Sequence, residues 1–135
     1  MDIYEQLLRD EGLELRPYTD TVGKLTIGVG RNLTDMGITQ DEALYLLRND
    51  VERVIQELEP HIDLSALSPA RAGVLINMAF NTGTPRLIGF KRMLRAVNAG
   101  DYVLAAAEML NSVWAGQVGQ RAQRLAQQME TGEWA

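Results

Sequence analysis

The chain has 135 residues and a mass of 15.0 kDa, which suits one domain able to bury roughly two-thirds of the surface its unfolded form exposes. It has no cysteine and one histidine, so there is no disulfide framework, and too few soft ligands remain for a zinc site. The net charge is −5, with 14 acids and 6 bases in residues 1 to 67 against 4 acids and 7 bases in residues 68 to 135. That balance argues against a nucleic-acid binder, which relies on concentrated positive charge.

Asp2 caps a predicted helix over 2–11 whose residues Ile3, Leu7 and Leu8 share one face, and Gly12 supplies its stop. This opening holds no apolar run of secretory length, and no stretch of the chain approaches a transmembrane span. Residues 12 to 32 read as short β-type runs around Asp20-Thr21-Val22-Gly23, which has the composition of a hairpin turn, followed by a loop containing Asp35 and Gly37. Thr39 and Glu42 form a capping box, and Ala43, Leu44, Leu47, Val51, Val54, Ile55 and Leu58 keep helical spacing until Pro60. A helix over 40–59 would be about 30 Å long, enough to span a small domain. Pattern alone leaves open whether it is a plain core helix or a link between two lobes.

Ser68-Pro69 reads as an N-cap followed by proline at the first helical position. The run through Ala72, Leu75, Ile76, Ala79 and Phe80 is apolar on most sides, the mark of a buried helix, and Asn81-Thr82-Gly83 closes it. Further helices are expected over Phe90–Asn98, from the Asp101 cap to Asn111, and from Val118 to Glu130, with Trp114 just beyond the second of these. No repeat or low-complexity tract interrupts the pattern.

The chemistry concentrates in Glu11 to Gly30, EGLELRPYTDTVGKLTIGVG. A hairpin there can bring Asp20 and Thr26 to one wall of a groove whose other wall carries Glu11. Paired carboxylates of this kind serve glycoside hydrolysis: one protonates the leaving oxygen, and the other holds a water or attacks the sugar carbon. Spacing alone favours Glu11 as a solvated helix end, Asp20 as a turn former and Thr26 as a strand filler, since such acids are common.

Glu11, Asp20 and Thr26 at this spacing, with TIGVG starting at the threonine, resemble the catalytic motif of the T-even phage type lysozymes, the muramidases of glycoside hydrolase family 24. INMAFNTG (76–83), Gly89-Phe90, Trp114, QRAQR (120–124) and TGEW (131–134) match family segments in the same order. The resemblance implies a mainly helical α+β, lysozyme-like fold of two lobes. A small β lobe would cover 12–39, a linking helix 40–59, and a helical lobe 60–135 together with helix 2–11.

It also implies hydrolysis of the β-1,4 bond between N-acetylmuramic acid and N-acetylglucosamine in bacterial peptidoglycan. Glu11 would be the general acid, and Asp20 and Thr26 would hold the attacking water, giving inversion. Gly30, Asn32, Phe80, Asn81, Gly89 and Arg121 would contact or frame the substrate, although the apolar setting of Phe80 also suits a core role. No cofactor or metal is expected. The implied partner is peptidoglycan, reached from the host bacterial cytoplasm, with a holin as one route of release, and without stable membrane insertion or nucleic acid; a monomer is expected because the assigned helices leave no exposed apolar stripe. Arg31 and Asn32 depart from the family pattern, which carries a histidine and an apolar residue there. Two other readings are a lytic transglycosylase, which uses one acid and no water, and a non-catalytic glycan-binding module, whose mark would be a lost catalytic residue.

Overall fold

A computed structural model describes residues 1 to 135 as two compact units, Met1–Leu46 and Leu47–Ala135. In the first, helix α1 spans Ile3–Glu11. Its start is a reciprocal capping box: the Asp2 carboxylate accepts from the Glu5 N–H at 2.9 Å, and the Glu5 carboxylate accepts from the Asp2 N–H at 2.9 Å. Gly12, at φ +76°, ends the helix and donates its N–H to Leu8.

Strands β1 (Glu14–Thr19), β2 (Leu25–Gly28) and β3 (Arg31–Asn32) form an antiparallel sheet in the order β1-β2-β3. Tyr18 pairs with Thr26, and Thr26 in turn pairs with Asn32, so Thr26 lies in the central strand. A register shift between Glu14 and Tyr18 bends β1. Gly28 and Gly30, both at positive φ, make the tight return from β2 to β3. The short helix α2 (Leu33–Met36) follows, capped by the side chain of Asn32. Sequence patterning reads this segment as loop, because four residues are too few to show helical periodicity.

Helix α3 (Gln40–Leu58) starts in the first unit and continues into the second, and the Thr39–Glu42 capping box forms as expected. The second unit adds α4 (Pro69–Thr82), α5 (Thr84–Ile88), α6 (Lys91–Asn98), α7 (Tyr102–Leu110), α8 (Val113–Val118) and α9 (Gln120–Thr131). Ser68 caps α4 with Pro69 in its first turn, and Asp101 caps α7.

Trp114, expected beyond a helix end, instead lies inside α8, which Ser112 caps. Its indole is buried, meets Phe90 edge-on at 6.3 Å and donates to Asn81 Oδ1 at 3.0 Å. It belongs to one hydrophobic core with Leu58, Leu75, Met78, Met93, Met109 and Met129, all essentially inaccessible to solvent. The architecture is thus α+β and mainly helical, with one small sheet near the N-terminus.

Candidate active site

The turn joining β1 to β2 is built around Asp20. Its N–H donates to the Lys24 carbonyl at 2.8 Å, and its Oδ1 accepts from the backbone N–H groups of Val22 at 3.0 Å and Lys24 at 2.8 Å. A short acid that can bond the backbone two residues on is what such a turn requires. One carboxylate oxygen is therefore fixed by the chain, while Oδ2 has no intrachain hydrogen bond.

Thr26 is the one buried residue of the first unit, only 4% exposed, and its hydroxyl donates to the same Lys24 carbonyl at 3.0 Å. With its proton committed, the hydroxyl oxygen keeps lone pairs that can accept from a water. The Lys24 backbone thus ties Asp20 and Thr26 into one rigid group. The Lys24 ammonium turns elsewhere, to Asp35 at 3.1 Å.

Glu11 is exposed at the end of α1 and makes no intrachain hydrogen bond, which leaves its carboxyl available to a ligand. It rests against the β2–β3 return, where a Cβ placed on Gly30 would stand 2.9 Å from Glu11 Oε2. Gly30 also sits at φ +65°. The backbone conformation therefore calls for glycine, while the close approach is to the far end of a flexible side chain that can shift. The structure thus gathers Glu11 and Gly30 at one contact and Asp20 and Thr26 at another, with β2 running between them.

The remaining candidates have other engagements. The Asn32 side chain accepts from the Asp35 N–H and donates to the Asp35 carboxylate, both at 3.0 Å, in capping α2. In the second unit, Asn81 accepts from Trp114, and Arg121 presents Nε and Nη2 to Asn77 Oδ1 at 3.0 and 2.7 Å. Gly89 lies 3.1 Å, measured from a virtual Cβ, from the Arg86 carbonyl. Phe80, in a helix apolar enough to suggest the core, keeps 46% of its surface exposed.

A family model described as phage lysozyme matches residues 9–130. The chain is 31% identical to the pre-baseplate central spike protein Gp5 of Enterobacteria phage T4, covering 98% of this chain but only 28% of that protein. It is 29% identical to a probable T4-type lysozyme of Dictyostelium discoideum, covering 96% of this chain and 94% of the relative. With the endolysin of Acyrthosiphon pisum secondary endosymbiont phage 1 the identity is 32%, over 76% of this chain and 70% of the endolysin. The chain belongs to the phage lysozyme family. As a member it is a glycoside hydrolase of the muramidase type.

In this phage lysozyme family member the electrostatics beside the sheet centre on Arg31. Its guanidinium donates to Glu42 at 2.8 Å and to the Gly37 carbonyl at 3.1 Å. The Arg31 hydrogen bond, followed by the Thr39 N–H, holds the Glu42 carboxyl down at about 2, and Glu42 in turn raises Arg31. This pair joins β3 to α3. Sequence reading missed it because eleven positions separate the partners and only the fold brings them together. It also missed Lys24 as the shared anchor, since a backbone role leaves no side-chain signal.

Proposed function

We propose that this chain cleaves the β-1,4 bond between N-acetylmuramic acid and N-acetylglucosamine in bacterial peptidoglycan, with Glu11 as general acid. Asp20 and Thr26 hold the attacking water, so the anomeric configuration inverts. The observation that supports this most is the joint anchoring of Asp20 and Thr26 on the Lys24 backbone. One unbonded carboxylate oxygen on the turn and one hydroxyl with free lone pairs on β2 are fixed by the same Lys24 backbone. A water bound there would be polarised without either group having to reorganise. Glu11, free of intrachain bonds, is suited to hand a proton to a leaving oxygen.

Gly30 and Asn32 in the first unit, and Phe80, Asn81, Gly89 and Arg121 in the second, are assigned to glycan contacts. Action as a monomer, after release to the wall through a holin, completes the reading.

The test is digestion of purified peptidoglycan by the wild type and by Glu11→Gln, with fragments analysed by mass spectrometry. Wild type should release reducing muramic ends, and the variant should be slower by about 100-fold or more, the scale of general-acid catalysis. Anhydro-muramic ends would replace this mechanism with transglycosylation. An inert, folded wild type would replace it with a glycan-binding role.

A further inference from the structure

The first unit has an apolar side that the proposed chemistry does not use. Ile27, Val29, Ile38, Tyr45 and Leu46 line a groove of about 610 Å³ that lies wholly within residues 27 to 46. Neighbouring residues of a strand face opposite sides of a sheet. Ile27 therefore opens this groove on the face away from Thr26. Four of the five apolar walls are more than a third exposed: Val29 38%, Ile38 47%, Tyr45 63% and Leu46 51%. Exposed apolar residues gathered in one concave patch mark an interaction surface, unlike single ones scattered over a protein.

Charge narrows what the surface fits. The first unit holds 9 acids and 4 bases, the second 9 of each, so the whole net charge of −5 belongs to the unit that carries the groove. Asp41 and Glu42 stand at its rim; Arg31, also lining it, is already engaged by Glu42, and Asp41 has no ion pair. An anionic membrane surface would be repelled. A second copy offering its exposed α1 face would bring Asp2, Glu5, Asp10 and Glu11 against Asp41 with only Arg9 in return. The alignments with the spike protein and the Dictyostelium lysozyme run over 161 and 160 positions, more than the 135 residues here, so these relatives carry stretches that this chain lacks.

We infer that this groove docks an amphipathic helix of a partner protein, with its apolar face against Ile27, Ile38 and Leu46 and its Lys or Arg residues beside the unpaired Asp41. Such a helix would complete a core that the first unit does not build for itself, by the helix-in-groove mode of recognition. The inference does not depend on the muramidase reading, because binding and turnover are measured separately.

The test uses the full chain with labelled methyl groups and two designed helical peptides of identical leucine pattern, one carrying lysines on its polar face and the other glutamates. Saturable shifts should appear at the methyls of Ile27, Val29, Ile38 and Leu46. Binding should be at least about tenfold tighter for the lysine peptide and should weaken with added salt. Ile38→Glu and, separately, Tyr45→Ala should weaken it by about tenfold or more while hydrolysis of soluble glycan fragments stays unchanged, since both side chains are exposed. Equal binding of both peptides, shifts confined to other residues, or no saturable shift would overturn the inference. So would groove shifts that appear on concentrating the protein alone, which would assign the surface to a second copy.

Discussion

The first unit carries Glu11, Asp20 and Thr26 and not one buried apolar side chain; its single buried residue is the threonine. The second carries all twenty buried apolar residues, from Val54 to Met129. Hydrogen bonds to backbone hold the first together: the Asp2 box, the Asp20 turn, the Thr26–Lys24 bond, and Thr34 accepting from Leu25 N–H at 2.8 Å. Dispersion and hydrophobic burial hold the second. The groups proposed for catalysis thus lie outside the packed core: Asp20 and Thr26 are held by hydrogen bonds to the Lys24 backbone, while the Glu11 carboxylate has no intrachain partner.

Breaking the second unit should cost most. Trp114→Ala removes the largest buried side chain and strands the Asn81 carbonyl oxygen it satisfies. The expected loss is about 3–5 kcal/mol in urea unfolding, typical of emptying an aromatic site. A loss below about 1 kcal/mol would mean that the core does not rest on this residue.

Thr26→Val acts on the other side of the comparison. It preserves size and strand preference but deletes the hydroxyl, so stability should fall by only about 1 kcal/mol while turnover falls by about 100-fold. Near-full activity in this variant would remove Thr26 from the mechanism.

The smallest effect concerns acid. The Glu42 carboxyl is depressed from 4.5 to about 2 in the folded chain. Its contribution to stability is complete above 4.5 and disappears as pH falls through that window to about 2. Glu42→Gln should therefore show a shallower loss of stability over this range than the wild type. Parallel acid profiles would show that the Arg31–Glu42 pair contributes nothing measurable.

Much of the helical plan is legible in the sequence because caps and periodicity are local. Asp2, Ser68 and Asp101 mark true starts, and Gly12 and Gly83 mark true ends. Asp20-Thr21-Val22-Gly23 is the turn its composition announces. What escapes is short or non-local. Helices α2 and α8 have four and six residues, too few for a repeat to emerge, so Trp114 was expected outside a helix. The candidate acids stand out by residue type and spacing. Their supports do not: Lys24 acts through its backbone, Asn77 meets Arg121 from 44 positions away, and the absence of a core around Ile27 and Ile38 shows only once the fold is assembled. The apolar run around Phe80 suggests burial, yet almost half of that residue's surface is exposed. A helix apolar on most sides does not disclose which side its neighbours leave open.

Residue-resolved native hydrogen exchange tests most directly whether chemistry and stability are divided between the two units. Amides of α1 and β2 should exchange through openings at least about 2 kcal/mol less costly than those of α4, α7 and α9, because few buried apolar contacts resist them. Equal protection in the two sets would contradict the division and show that the hairpin unit draws on a core as strong as that of the helices.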